Sequence, residues 1–175
     1  MALVVLLRGM NVGGHRTFRP AALAKRLAHL GAVNIGAAGT FVIRRRVSKA
    51  NLRAEILDNL PFDAEIAIFA GREILDLLST EHFGKGTPPD AVRFVSVLCG
   101  RPHATPAMPM TFPSTGEWLV KVLGREGRFV FGVYHRHMKV IGYLGALDGL
   151  FGVPLITRNW NTITAIRFLL ESNTG

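Results

Sequence analysis

A glycine-rich segment near the start of the chain holds the first residues whose types and spacing could bind a ligand. An apolar run ends at Arg8, and a helix is expected to begin at Pro20. A buried strand that leads into such a loop can place backbone N–H groups around an anion, which a nearby guanidinium would also bind. The spacing matches no named phosphate loop, and the glycines could instead form a tight turn. The candidate ligand-binding residues of this segment are Arg8, Gly9, Asn11, Gly13 and Gly14.

A second polar segment precedes the last predicted helix, residues 162–171. Either Asn161 or Thr162 is expected to cap that helix, which would put Arg158 beside free N–H groups that favour anions. Trp160 could stack on a ring of the ligand, or it could be a core residue with a hydrogen-bonded indole. The candidate ligand-binding residues of this segment are Arg158, Asn159, Trp160 and Asn161. The hypothesis that follows is one cleft, between two subdomains, lined by both segments.

The other chemistry-bearing residues predict neither a metal site nor a catalytic one. His135 and His137 flank Arg136 on a predicted strand and would share a face, but no third metal ligand is evident nearby. The carboxylates are scattered singly, and Cys99 falls in an apolar strand where a core role is expected. Catalytic residues stay unknown, no cofactor is expected, and the sequence leaves open whether the protein is an enzyme.

The charge balance favours anionic partners. The 175 residues include 21 lysines and arginines against 12 aspartates and glutamates, a formal net charge of +9. Such a surplus suits phosphate esters, nucleotides or nucleic acid, although compositional drift toward arginine would give the same balance. The densest basic cluster, Arg44, Arg45 and Arg46, could track a phosphate backbone or could be a solvated strand end.

Cysteine usage and hydropathy predict the compartment. A single cysteine excludes an intramolecular disulfide and fits a reducing environment. The longest apolar run, residues 2–7, is far too short to span a bilayer and lacks the basic residue that would precede it in a signal peptide. We therefore expect a cytoplasmic protein with no membrane partner.

Hydrophobic periodicity and stop signals predict an α+β fold in two parts. The first part, residues 1–70, has the order β-α-β-β-α-β of the ferredoxin-like plan. Its predicted elements are strand 3–7, a helix from Pro20 closed by Gly31, strands 33–38 and 41–45, a helix capped by Ser48, and strand 65–70.

The second part, residues 71–175, is predicted as a further α+β subdomain with less regular signals. Four prolines make residues 100–113 mostly extended loop. Its predicted elements are helix 72–79, strand 92–98, a hairpin of strands 118–123 and 129–135, a helix over about 143–151, and the last helix.

Two motifs carry a resemblance to a known family. They are Leu-Leu-Arg-Gly-Met-Asn-Val-Gly-Gly at residues 6–14 and Thr-Arg-Asn-Trp-Asn-Thr at residues 157–162. The chain resembles the bacterial domain-of-unknown-function 1697 family, which implies two α+β subdomains, the first ferredoxin-like, and no established activity. The family's polar turn after the second strand is replaced here by Ala37, Ala38, Gly39 and Thr40. If the polar groups of that turn line a shared site, this chain lacks part of it; the sequence leaves open whether they do.

These observations lead to one main hypothesis and two alternatives. The main hypothesis is a small-molecule binding protein whose ligand is anionic, either phosphate or nucleotide-like. The first alternative is non-specific binding of nucleic acid through a basic surface. The second is a protein interaction module without a small ligand.

Overall fold

The computed structural model describes residues 2–9 and 18–172 and has the α+β architecture that the sequence predicts. The chain forms two compact units, one of Met1–Leu78 with Thr164–Gly175 and one of Ser79–Ile163. The predicted division after residue 70 stays a prediction. Within the described residues, no helix combines the length and the apolar character needed to cross a membrane.

Four strands form the sheet of the first unit. They are β1 (Leu3–Leu7), β2 (Ala32–Ile35), β3 (Thr40–Ile43) and β4 (Ile66–Ala70). The strands lie in the order β2-β3-β1-β4, and every neighbouring pair is antiparallel. The element order therefore matches the expectation for this part of the chain, and its assignment to the ferredoxin-like folds remains a prediction.

Helices α1 (Pro20–Arg26) and α2 (Lys49–Asp58) cover one face of this sheet. Their apolar residues share one buried cluster with alternate residues of β1, which all point to the same face. A short 3₁₀ turn follows α1 and ends at Gly31, whose φ of 65° is the left-handed conformation expected at a helix end. Ser48 caps α2 as predicted, because its Oγ accepts a hydrogen bond of 3.1 Å from the Asn51 N–H. Helix α3 (Gly71–Leu78) follows β4 directly.

Five strands form the sheet of the second unit. They are β5 (Val92–Leu98), β6 (Met110–Phe112), β7 (Val120–Glu126), β8 (Phe129–Tyr134) and β9 (Leu155–Asn159). Their order is β6-β7-β8-β5-β9, again antiparallel throughout. Helix α4 (Val140–Phe151) packs on one face through Leu147 and Phe151, which share a core cluster with Phe94 and Val122.

The structure corrects several predictions in this unit. Strand β6 lies inside the predicted loop, and the sequence did not predict β9 at all. Helix α5 (Trp160–Glu171) begins two residues earlier than expected, because β9 leads straight into it. Strand β8 ends at Tyr134, so the prediction that His135 and His137 share a strand face was wrong.

The hairpins also differ in detail. In the first unit, a turn over residues 36–39 separates shorter strands than predicted, and its two glycines have φ values of 63° and 88°. In the second unit, β7 runs through the predicted turn as far as Glu126, with a register shift between Val122 and Gly124. Pairing with β8 keeps these residues extended, although the glycines by themselves favour a turn at this position.

Candidate functional site

Three strand ends of the second sheet meet around one cavity, which we call the Arg136 cavity. Val92 at the start of β5 pairs with Tyr134 at the end of β8, and Phe94 pairs with Asn159 at the end of β9. The cavity has a volume of about 340 Å³. Its lining includes the charged residues Asp90, Arg93 and Arg136, the aromatic residue Tyr134, and the motif residues Asn159, Trp160 and Asn161.

The two arginines give this cavity its electrostatic character. Arg93 and Arg136 are both exposed; Arg93 lies in β5, and Arg136 lies just beyond the end of β8. The Arg93 guanidinium carbon lies 5.2 Å from the centroid of the Phe83 ring, an arrangement that holds the side chain by a cation–π interaction. Asp90 supplies a carboxylate among the lining residues, and its Oδ2 lies 3.9 Å from His135 Nδ1. The two arginines therefore outweigh this carboxylate.

The N-terminus of α5 adds positive potential. Asn159, at the end of β9, caps the helix: its Oδ1 accepts hydrogen bonds from the Thr162 N–H at 2.9 Å and the Thr162 hydroxyl at 3.0 Å. The prediction that Asn161 or Thr162 would be the cap was therefore wrong, because the helix begins at Trp160. The first turn of a helix carries free N–H groups and the positive end of its dipole, and both favour an anion nearby.

Trp160 lines the cavity and also belongs to an aromatic cluster. Its ring lies edge-on to Phe83, with centroids 4.9 Å apart, and 6.4 Å from the ring of His82. These contacts fix the indole, so the same residue both lines the cavity and packs inside the unit. Glu81 stands beside this cluster. Its pKa is lowered, first by a hydrogen bond from the Phe83 N–H and also by the charge of Arg93.

Arg158 is placed differently from its neighbours in the sequence. It lies within β9 opposite Val95, is 8 % exposed, and does not line the Arg136 cavity. Its Nη1 donates a hydrogen bond of 2.9 Å to the Thr157 carbonyl, and desolvation by burial lowers its pKa to about 10. The structure thus brings together Asn159, Trp160 and Asn161 and leaves Arg158 outside their group.

The glycine-rich segment is described only in part. Arg8 follows β1, is half-buried, and donates its backbone N–H to the Glu65 carbonyl at 3.1 Å. Gly9 has a φ of 72°, a left-handed conformation that suits glycine. The other predicted ligands, Asn11, Gly13 and Gly14, lie outside the described residues, and their role as an anion loop stays a prediction.

Sequence reasoning missed the side chains that dominate the Arg136 cavity. Arg93 stands near the start of an apolar strand, where a charged residue signals a strand end at the surface, and Arg136 lies just beyond the end of β8, outside both candidate segments. In the described residues, no three His, Cys, Asp or Glu side chains come close enough to hold a metal ion. His137 Nδ1 accepts a hydrogen bond from the Lys139 N–H, and His135 stacks on Trp118 with centroids 4.5 Å apart.

The basic cluster of the first unit is engaged in local contacts. The Arg45 Nη1 donates to the His29 carbonyl at 3.1 Å, and the Arg44 Nη2 donates to the Ser172 hydroxyl at 3.3 Å. These bonds tie a strand end to its neighbours. Arg46, the third member of the cluster, is exposed.

Comparison with known proteins identifies a structure with the same fold and the family of the chain. No curated protein gives a match to the chain. A solved structure, that of the conserved bacterial protein SP0830 from Streptococcus pneumoniae, covers 94 % of this chain and 96 % of its own, with a TM-score of 0.58 and 18 % sequence identity. That similarity shows a shared fold. The family described as Protein of unknown function (DUF1697) matches residues 1–117, two thirds of the chain, and the chain belongs to this family.

Proposed function

We propose that this protein binds a phosphate-bearing small molecule, nucleotide-like in class, at the Arg136 cavity. The observation that carries the proposal is the convergence of Arg93, Arg136 and the N-terminus of α5 on one cavity of about 340 Å³. Guanidinium groups bind phosphate oxygens through paired, charge-assisted hydrogen bonds, and helix N-termini favour the same anions.

A neighbouring cavity supports the nucleotide-like part of the proposal. We call it the Trp118 cavity; it has a volume of about 560 Å³, and its lining includes Pro88, Trp118 and His135. Residues that line the two cavities are neighbours in the sequence. Pro89 and Arg136 line the Arg136 cavity, whereas Pro88 and His135 line the Trp118 cavity. A ligand with its phosphate beside Arg136 could place a planar ring against the Trp118–His135 stack.

Titration calorimetry with inorganic pyrophosphate and with ADP tests this proposal. Replacing Arg136 with glutamine should weaken both affinities about 10- to 100-fold, the effect of one charge-assisted hydrogen bond of roughly 1.5–3 kcal/mol. Trp118→Ala should weaken ADP binding and leave pyrophosphate binding unchanged, because only ADP carries a ring. Arg72→Gln is the matched control, since it removes an exposed positive charge from the first unit. Equal losses in Arg136→Gln and Arg72→Gln would contradict a local site.

Nucleic-acid binding remains the second candidate, favoured by the net charge of +9. Its affinity should fall steeply with salt, with a log–log slope of roughly −0.7 to −0.9 for each phosphate neutralised. Reversing Arg44, Arg45 and Arg46 to glutamate would then weaken binding of every sequence alike. A mobility-shift titration at low salt measures this, and no shift there would exclude the second candidate.

A further inference from the structure

A second arginine-rich cavity lies at the opposite end of the same sheet. We call it the Arg128 cavity; it has a volume of about 280 Å³ and is formed where β5 ends and the β7–β8 hairpin turns. Among the residues that the structure describes, three arginines line it, namely Arg101, Arg125 and Arg128, and no carboxylate does. Strand β5 runs from Val92 at one cavity to Leu98 at the other, a distance of about 20 Å. The two cavities are therefore separate.

The protein holds one of these arginines in place. Arg125 Nε donates a hydrogen bond of 2.7 Å to the Gly127 carbonyl, and its Nη1 lies 3.4 Å from the Thr105 hydroxyl. A side chain that is already positioned loses less conformational entropy when a ligand binds. The adjacent acid does not neutralise it directly, because successive side chains of a strand point to opposite faces. Glu126 Oε2 instead lies 3.6 Å from His82 Nδ1.

The backbone around the cavity is equally constrained. The Leu98 N–H donates to the Arg128 carbonyl at 2.8 Å, and the Cys99 N–H donates to the Pro154 carbonyl at 2.9 Å. Gly127 makes the hairpin turn with a φ of 58°. These bonds fix the backbone positions from which the cavity's residues project, so their convergence follows from the fold.

We infer that the Arg128 cavity binds a compact anion of the phosphate class, either free or as the phosphate group of an ester. Three guanidinium groups without a lining carboxylate create a strongly positive pocket, and phosphate is the anion whose oxygens match their paired N–H donors. The site is independent of the function proposed for the Arg136 cavity, because it uses other residues at the other end of the sheet.

Cys99 makes this inference directly measurable. It lines the Arg128 cavity and is the only cysteine of the sequence, so thiol alkylation reports on this place alone. Iodoacetate is anionic and iodoacetamide is neutral, and the same thiolate attacks the methylene carbon of either reagent and displaces iodide. The ratio of their rates therefore cancels the thiolate fraction and reports the local potential. In the folded protein this ratio should exceed that of the urea-unfolded chain about fivefold at low salt.

Variants of two of the three arginines test whether these side chains set the ratio. Arg101→Gln, an exposed substitution, and Arg128→Gln should each lower the ratio toward the unfolded value, whereas Arg136→Gln should leave it unchanged. The Arg101 variant keeps the test usable if loss of Arg128 disturbs the hairpin. An unfolded-like ratio in the intact protein, or an equal effect of Arg136→Gln, would overturn the inference.

Protection by added anions distinguishes the source of the phosphate. Inorganic pyrophosphate should slow iodoacetamide alkylation of the folded protein at concentrations where the same amount of chloride has no effect. If glucose 6-phosphate protects equally, the cavity accepts phosphate esters; if pyrophosphate alone protects, it accepts the free anion. Failure of both anions to slow alkylation would overturn the proposed site.

Discussion

The two sheets of this protein differ in the side chains that their strands and strand ends carry. In the first sheet, every residue of β1 and β3 is buried, and all but Thr40 are apolar. In the second sheet, the strands have an equally buried middle, but arginines stand at or just beyond the ends of β5, β7 and β8. The first sheet resembles a scaffold, and the second combines a scaffold with two positively charged ends.

This difference has an energetic consequence. Apolar side chains stabilise the fold by leaving water, so their truncation lowers the free energy of unfolding. Exposed arginines at strand ends contribute little to stability, because solvent screens their charge. Substitutions in the first sheet should therefore change stability, and substitutions of the strand-end arginines should change ligand binding. The following predictions test this separation, from the largest expected effect to the smallest.

The largest effect is expected in the centre of the first sheet. Leu7 is fully buried in β1, and Leu7→Ala should lower the free energy of unfolding by about 2–5 kcal/mol, as expected for a cavity left in a packed core. Urea unfolding followed by circular dichroism measures the loss. Leu57→Ala is the control, because Leu57 is 37 % exposed. A loss as small as that of the control would contradict the scaffold role of β1.

A smaller loss of stability is expected at Gly132, a closely packed position of the second sheet. A Cβ on Gly132 in β8 would clash with the Lys121 carbonyl oxygen and would lie 2.7 Å from Phe94 Cζ. Gly132→Ala should therefore cost about 1–3 kcal/mol through overpacking. The same change at Gly149, which has open space in α4, should stabilise by about 0.5–1 kcal/mol because alanine is the better helix former. Thermal unfolding of both variants gives the comparison; stabilisation by both would refute the close packing at Gly132.

The smallest effect concerns pH. The pKa of Glu81 is lowered from its ordinary 4.5, first by the hydrogen bond from the Phe83 N–H. A carboxyl with a lowered folded-state pKa contributes stability that is present above about pH 4.5 and is lost as the pH falls through the folded value. Glu81→Gln should therefore reduce the acid sensitivity of unfolding between neutral and acidic pH. Urea unfolding of the unsubstituted protein and of the variant across that pH range measures the difference. Parallel pH profiles of the free energy of unfolding would contradict the stated role of the hydrogen bond.

Much of the first unit could be predicted because its signals are local. Pro20, Gly31 and Ser48 mark helix ends through their own local chemistry. The structure confirms the helix starts at Pro20 and after Ser48, whereas α1 ends at Arg26 and Gly31 closes the short 3₁₀ turn that follows it. Strand β9 could not be predicted in the same way. Its residues follow Pro154 and read Leu-Ile-Thr-Arg-Asn, and they are extended because they pair with β5, which lies far away in the sequence.

The candidate site illustrates the same limit. The motif residues Asn159, Trp160 and Asn161 could be selected from sequence, and they do line the Arg136 cavity. Arg93 and Arg136 reach that cavity only because β5 pairs with β8 and β9, and neither strand pairing has a local signature. Burial of Arg158 has the same origin, since alternation along β9 decides which side chains face inward.

The most direct test of the central claim is a crystal structure of the protein grown with pyrophosphate in a buffer free of sulfate. The account predicts an ordered anion within hydrogen-bonding distance of the guanidinium groups of both Arg93 and Arg136, close to the N-terminus of α5. An Arg136 cavity that stays free of the anion at saturating pyrophosphate, with both guanidinium groups bonded to protein atoms instead, would contradict the claim.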